Sequence, residues 1–155
     1  MAGFRFRLDK VLEWRQTQLE LEEIKFKRET SALAEIDRRR AECEASGIKA
    51  EFQVRGWTQV TGRDLEALGS FRLRVKEEEA ALTLKREAQA KRVAAQEAAM
   101  LEARRRCRLL ERLKEQRAEE WRREENRALE AAASETYLAQ WARRGAMDGP
   151  AMRSS

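Results

Sequence analysis

Histidine is absent from this chain, proline occurs once, at Pro150, and glycine only seven times. Without an imidazole, Cys43 and Cys107 have no ordinary base to activate them as nucleophiles. A cysteine–histidine zinc set has no histidine to use, and two cysteines outside CxxC spacing fit a reducing compartment better than a disulfide framework. Gly-rich phosphate-cradling runs are also missing. Glu77, Glu78 and Glu79 stand on an exposed helix, where their pKa values have no reason to shift toward acid–base work. These absences predict a non-enzymatic protein with no catalytic residue, no metal and no cofactor.

Scarcity of turn formers has a second consequence: the helices have to be few and long. Aromatic residues make up 6% of the chain, too little for a large globular core. No run approaches the roughly 18 apolar residues of a membrane-spanning helix. Asp9, Glu13 and Glu20 interrupt the N-terminal region where a secretory signal needs an uncharged stretch. The expected location is the cytoplasm, with no direct membrane span.

What the chain does have is charge, at 39% of 155 residues, with 33 Lys+Arg against 28 Asp+Glu. The signs alternate every few residues, the pattern of a solvated helix face laced with i,i+4 pairs. Arg104, Arg105, Arg106 and Arg108 form the densest basic cluster. A basic helix in a DNA groove wants such a cluster, but acids are mixed through this tract and no zipper follows, so nucleic acid is not an expected partner.

Beneath the charge runs an apolar rhythm. Leu12, Leu19, Phe26 and Leu33 recur every seventh residue, while the intervening positions Leu8, Arg15, Glu22, Glu29 and Ile36 are half polar. The glycines and β-formers of GIKAEFQVRGWTQVTG mark a reversal, with Thr61 or Asp64 as cap of the helix that follows. A second seam carries Leu65, Leu68, Val75, Leu82, Val93, Met100, Ala103, Cys107, Leu110 and Leu113, interrupted by Arg86, Gln89 and Gln96.

Folding the chain back at the reversal brings Ile36 near Leu82, Leu33 near Leu84, Phe26 near Val93, Leu19 near Met100, Leu8 near Leu110 and Phe4 near Leu113. The expected fold is an all-α, antiparallel two-helix coiled-coil hairpin with a longer second helix. Its spans are helix one over residues 4–54, the reversal over 55–62, helix two over 63–144 and a disordered tail over 145–155. Phe4, Leu8 and Leu12 then clamp the start of helix one onto the middle of helix two. Beyond about Lys114, helix two continues alone for roughly 45 Å. Trp121 and Trp141 lie there with Leu129, Tyr137 and Leu138, a surface offered to something else.

The runs FRLDKVLEWRQTQLE, LLERLKEQR and REENRALEAAASE, in that order around a short Gly-containing reversal, resemble the FliJ family of flagellar type III export proteins. The family's Phe-x-Leu-x-x-Val-Leu-x-x-Arg opening corresponds to Phe6, Leu8, Val11, Leu12 and Arg15. Its Leu-Glu-x-Leu-Lys-Glu run corresponds to Leu110, Glu111, Leu113, Lys114 and Glu115. One departure is Ser134, which stands before Glu135 where the family often has Asp. The resemblance spans roughly residues 4–140.

The resemblance implies a coiled-coil stalk, similar to that of rotary ATP synthases, whose paired termini enter the pore of the export ATPase hexamer. It also implies contacts with the export gate membrane protein and with export chaperones, at the inner membrane beside the flagellar basal body. The ATPase-contact candidates on this reading are Arg5, Arg7, Arg15, Trp121, Arg122, Arg123, Arg127, Tyr137 and Trp141. The gate-contact candidates are Phe71 and Val75, taken to be free of the seam. The alternative reading is a stand-alone structural adaptor that dimerises through its C-terminal helix.

Overall fold

A computed structural model describes residues 3–149. Among these residues there are two α-helices and no strand: α1, Asp9–Arg55, and α2, Gly62–Met147. The fold is an all-α helical hairpin with a longer second helix. The described chain falls into two compact units, Glu13–Cys107 and a second made of residues 3–12 with 108–149.

Within Glu13–Cys107 the helices meet along one heptad seam. Val75, Leu82, Gln89, Gln96 and Ala103 recur every seventh residue, alternating with Arg86, Val93, Met100 and Cys107. Cys43, Leu82, Met100 and Cys107 are buried, while Leu19, Phe26, Leu33, Ile36, Val75 and Val93 are half-buried. A fully buried Leu or Met contributes about 1.5–3 kcal/mol, so so thin a core leaves every layer of it important.

The polar interruptions of the two seams meet each other. Gln89 Nε2 donates to the Glu29 carbonyl at 3.0 Å and also to the Glu29 carboxylate. One heptad on, Gln96 Nε2 donates to the Glu22 carbonyl at 3.2 Å and to its carboxylate. Arg86 Nε donates to Asp37 Oδ1 at 2.6 Å. Gln89 is buried although polar, and these hydrogen bonds are what make that burial tolerable.

The helix bounds differ locally from the expected ones. The first helix starts at Asp9, not Phe4, because Gly3–Phe6 are not helical and Asp9 N donates to the Phe6 carbonyl at 3.2 Å. An acid in the first turn suits the helix dipole. At Gly47 α1 runs straight through; a Cβ there would lie 3.3 Å from Val75 Cγ1, so the glycine serves close approach of the two helices. The other end of α2 passes Gly145 and reaches Met147, so residues 145–147 of the expected disordered tail are helical. The tail's residues 150–155 lie outside the described residues.

At the reversal, Gly56 N donates to the Phe52 carbonyl and Trp57 N to the Val54 carbonyl, both at 3.2 Å. Thr61 and Asp64 then form a reciprocal cap. Asp64 N donates to Thr61 Oγ1 at 3.3 Å, and Thr61 N donates to Asp64 Oδ2 at 3.0 Å. The Thr61 backbone N–H, helped by its hydroxyl, holds the Asp64 carboxyl below its ordinary pKa.

Candidate interaction surface

In the unit made of residues 3–12 and 108–149, Phe6 and Leu12 are buried. Lys114 Nζ donates to Asp9 Oδ1 at 2.7 Å. The Phe4 ring lies 6.3 Å from that of Trp121, tilted by 48°, a separation within the favourable range for aromatic pairs. Phe4 was expected against Leu113. Non-helical chain advances about 3.3 Å per residue where a helix advances 1.5 Å, so the extended start reaches further along α2.

That contact moves the boundary of the unaccompanied stretch. Lys114 and Trp121, expected beyond the clamp, both have partners within it. Ala118, Trp121 and Glu125 are half-buried, and from residue 126 every described residue is exposed. Leu129, Tyr137, Leu138 and Trp141 are 52%, 68%, 60% and 66% exposed. Tyr137 and Trp141, four residues apart, share one helix face, while Leu129 and Leu138 lie on opposite sides of the helix.

The basic candidates are distributed unevenly. Arg5 and Arg7 are exposed and line a groove of about 660 Å³ with Phe4, Phe6, Leu113 and Trp121, and with Glu120 and Glu124 on the same groove. Arg122 and Arg127 are exposed, and Arg123 pairs with Glu119 at 3.8 Å. Arg15 belongs to the other unit, Glu13–Cys107, where its guanidinium stacks over Trp14 at 4.7 Å. The structure thus brings Arg5, Arg7 and Trp121 to one groove and leaves Tyr137 and Trp141 on the exposed face.

Of the two gate candidates, Phe71 is half-buried beneath the Arg74 guanidinium at 6.0 Å. Val75 is not free of the seam as expected. Its side chain faces Gly47, and its carbonyl accepts from Cys43 Sγ at 3.6 Å. The heptad spacing that puts Val75 in the second seam is borne out, and the close approach allowed at Gly47, a residue without Cβ, seats it there.

No family model, curated protein or solved structure matches this chain.

The remaining clusters are ordinary surface chemistry. Arg104 pairs with Glu23 at 3.8 Å, and Arg105 and Arg106 pair with Glu102 at 3.3 and 3.2 Å. Arg105, ahead of Arg106, holds the Glu102 carboxyl below its usual pKa. The Cys43 thiol is pushed up, first by burial and then by Glu78, which keeps it a thiol and a poor nucleophile. Among the described residues no group of three or more His, Cys, Asp or Glu is placed to hold a metal ion. No described helix is long and apolar enough to cross a membrane.

Sequence reasoning placed Phe52 in helix one and read Trp57 and Val60 only as part of the reversal. They are 68%, 50% and 41% exposed. The available signal was the spacing of large apolar residues around Gly56, in a stretch where a turn usually carries small polar ones.

Proposed function

We propose that this chain is a non-enzymatic coiled-coil component of a bacterial flagellar type III protein export apparatus. In that role it promotes assembly and activity of the export ATPase hexamer and couples it to the export gate and export chaperones. The observation that carries this reading is the exposed end of α2. From residue 126 to Met147 the helix continues with Leu129, Tyr137, Leu138 and Trp141 uncovered.

A helix that outruns its companion and keeps aromatic side chains in water is built to enter a cavity in something larger. Exposed aromatic residues next to arginines are also what interface hot spots favour. Arg122 and Arg127 supply charge for acidic groups of a ring, and Arg5 and Arg7 do the same at the groove beside Trp121. The resemblance of the opening and closing runs to the FliJ family supplies the ring's identity.

The test mixes the purified full chain with the export ATPase of the same organism and follows ATP hydrolysis. Stimulation is expected, and a chain ending at Glu125 should lose it. Equal stimulation by the shortened chain removes the stalk reading. The adaptor reading is favoured by a different result, in which the full chain is a dimer by light scattering, the shortened chain is a monomer, and neither affects the ATPase.

A further inference from the structure

We propose that the reversal between α1 and α2 docks on the surface of an anionic phospholipid bilayer. The inference stands apart from the ATPase reading, since it concerns the opposite termini of the two helices and needs no export component.

The last turn of α1, the reversal and the first turn of α2 put Phe52, Trp57, Val60 and Leu65 in solvent, with Phe52 at 68% and Leu65 at 58% exposure. Such groups on a turn are a cost in water unless something covers them. Aromatic side chains, tryptophan above all, are the residues that settle at the headgroup level of a membrane.

Within the turn itself, between Glu51 and Asp64, the chain carries Arg55 and Arg63 and no acid. Of the carboxylates that flank it, Glu51 pairs with Arg72, Asp64 accepts from the Thr61 backbone N–H, and Glu66 follows Leu65 on α2. Among the described residues no ion pair holds Arg55 or Arg63. The nearby groove of about 420 Å³ is lined by Glu44, Glu51, Arg72, Lys76 and Glu79, charges of both signs, and takes in none of the four exposed apolar residues.

These features select the occupant. A turn is convex and has no recess for an inserted side chain, whereas a headgroup layer yields to one and takes the indole and phenyl groups below its phosphates. The phosphates then lie beside the arginines. The reciprocal Thr61–Asp64 cap and the closing bonds of α1 hold the turn before it meets the membrane, so docking orders little new chain.

The experiment is flotation of the full chain with vesicles of equal parts phosphatidylglycerol and phosphatidylcholine, and with phosphatidylcholine alone. Binding is expected only with the anionic lipid and should weaken as salt rises. Arg55→Gln with Arg63→Gln should bind roughly thirtyfold less tightly, and Trp57→Ala about tenfold less tightly. Phe52→Ser is a second apolar variant, and Trp141→Ala, which removes an equally exposed indole far from the reversal, should bind as the unaltered chain does. Circular dichroism checks that each variant is helical. Failure of the full chain to float, equal binding to both vesicle types, or unchanged binding by the reversal variants each overturns the proposal. Loss of a protein contact by those variants, with no flotation of the parent, assigns the turn to a protein instead.

Discussion

Two stretches of this molecule invert the usual rule about what goes inside. In Glu13–Cys107 a glutamine, Gln89, is 9% exposed, while along residues 126–147 a tryptophan, Trp141, is 66% exposed. The difference does not lie in the side chains. Gln89 is buried because Glu29 stands opposite and offers both its carbonyl and its carboxylate. Trp141 is exposed because no described residue covers it. Burial in a thin coiled coil is therefore decided by the facing residue, and a hydrophobicity read along one strand of the seam is half of the information.

The largest effect should come from putting an unpartnered charge where the seam is apolar. Leu82→Asp removes one of the few buried side chains and brings a carboxylate into the seam, where Arg86, one turn on, already pairs with Asp37. A loss of about 3–5 kcal/mol is expected, comparable with the whole stability of a small domain. Circular dichroism should show most helicity lost at room temperature. A variant that melts like the parent would mean that the seam is not what holds α1 to α2.

Gln89→Leu tests the polar side of the comparison. The new side chain suits an apolar core, yet it leaves the half-buried Glu29 carboxylate without its partner, while the Glu29 carbonyl keeps its bond within α1, so chemical denaturation should show a loss of about 1–3 kcal/mol. Replacing Glu29 by Leu as well should recover that loss, because a matched apolar pair tolerates burial better than half of a broken polar one. A single variant more stable than the parent would sink the claim that the two hydrogen bonds, and not mere space, keep Gln89 inside.

How much of this was legible follows from the same pair of stretches. The heptad positions of Leu12, Leu19, Phe26 and Leu33 and of Val75, Leu82, Met100 and Cys107 were readable because helical periodicity is a property of one strand. So in large part was the antiparallel register within Glu13–Cys107, read from apolar residues facing apolar ones, although Leu84, placed opposite Leu33, is 69% exposed. The partner of Phe4 was not readable, because it depends on where helix gives way to extended chain, and that single change moved the contact from Leu113 to Trp121. Heptad spacing places Val75 on the seam, while the gate reading needs it free; the structure bears out the seam position, with Val75 facing Gly47, where the missing Cβ lets the helices approach.

Gly47 and Gly69 make a finer version of the comparison, one in the seam and one on the surface. A Cβ at Gly69 meets nothing within 4 Å, so Gly69→Ala should stabilise the helix by about 1 kcal/mol through backbone propensity alone. At Gly47 the same gain is opposed by Val75 Cγ1 at 3.3 Å, and Gly47→Ala should give less than half as much, or nothing. Melting temperatures of the two variants, measured side by side, decide it. Equal gains would show that Val75 gives way freely and that close approach is not the role of Gly47.

The smallest effect should come from a long deletion. Ending the chain at Glu125 removes Leu129, Tyr137, Leu138 and Trp141, a set of apolar side chains larger than that of the buried seam residues named above. By an area argument blind to partners the loss would be severe. Among the described residues, however, every position from 126 onward is exposed, and burial stabilises only what is removed from water. The cut keeps Asp9 with Lys114 and Phe4 with Trp121, the contacts that hold the start of the chain. The melting temperature should therefore move by no more than about 2 °C, within the range expected for surface changes, while total helical signal falls in proportion to the residues lost. A cut after Leu113 instead removes Lys114 and Trp121 and should release the N-terminal clamp, lowering the melting temperature clearly further. If the two cuts melt alike, the Phe4–Trp121 contact contributes nothing and the extended start is merely lying on α2; if the cut after Glu125 already melts early, the exposed stretch has a partner in solution, and a concentration dependence of the parent's melting temperature would identify that partner as a second copy of the chain.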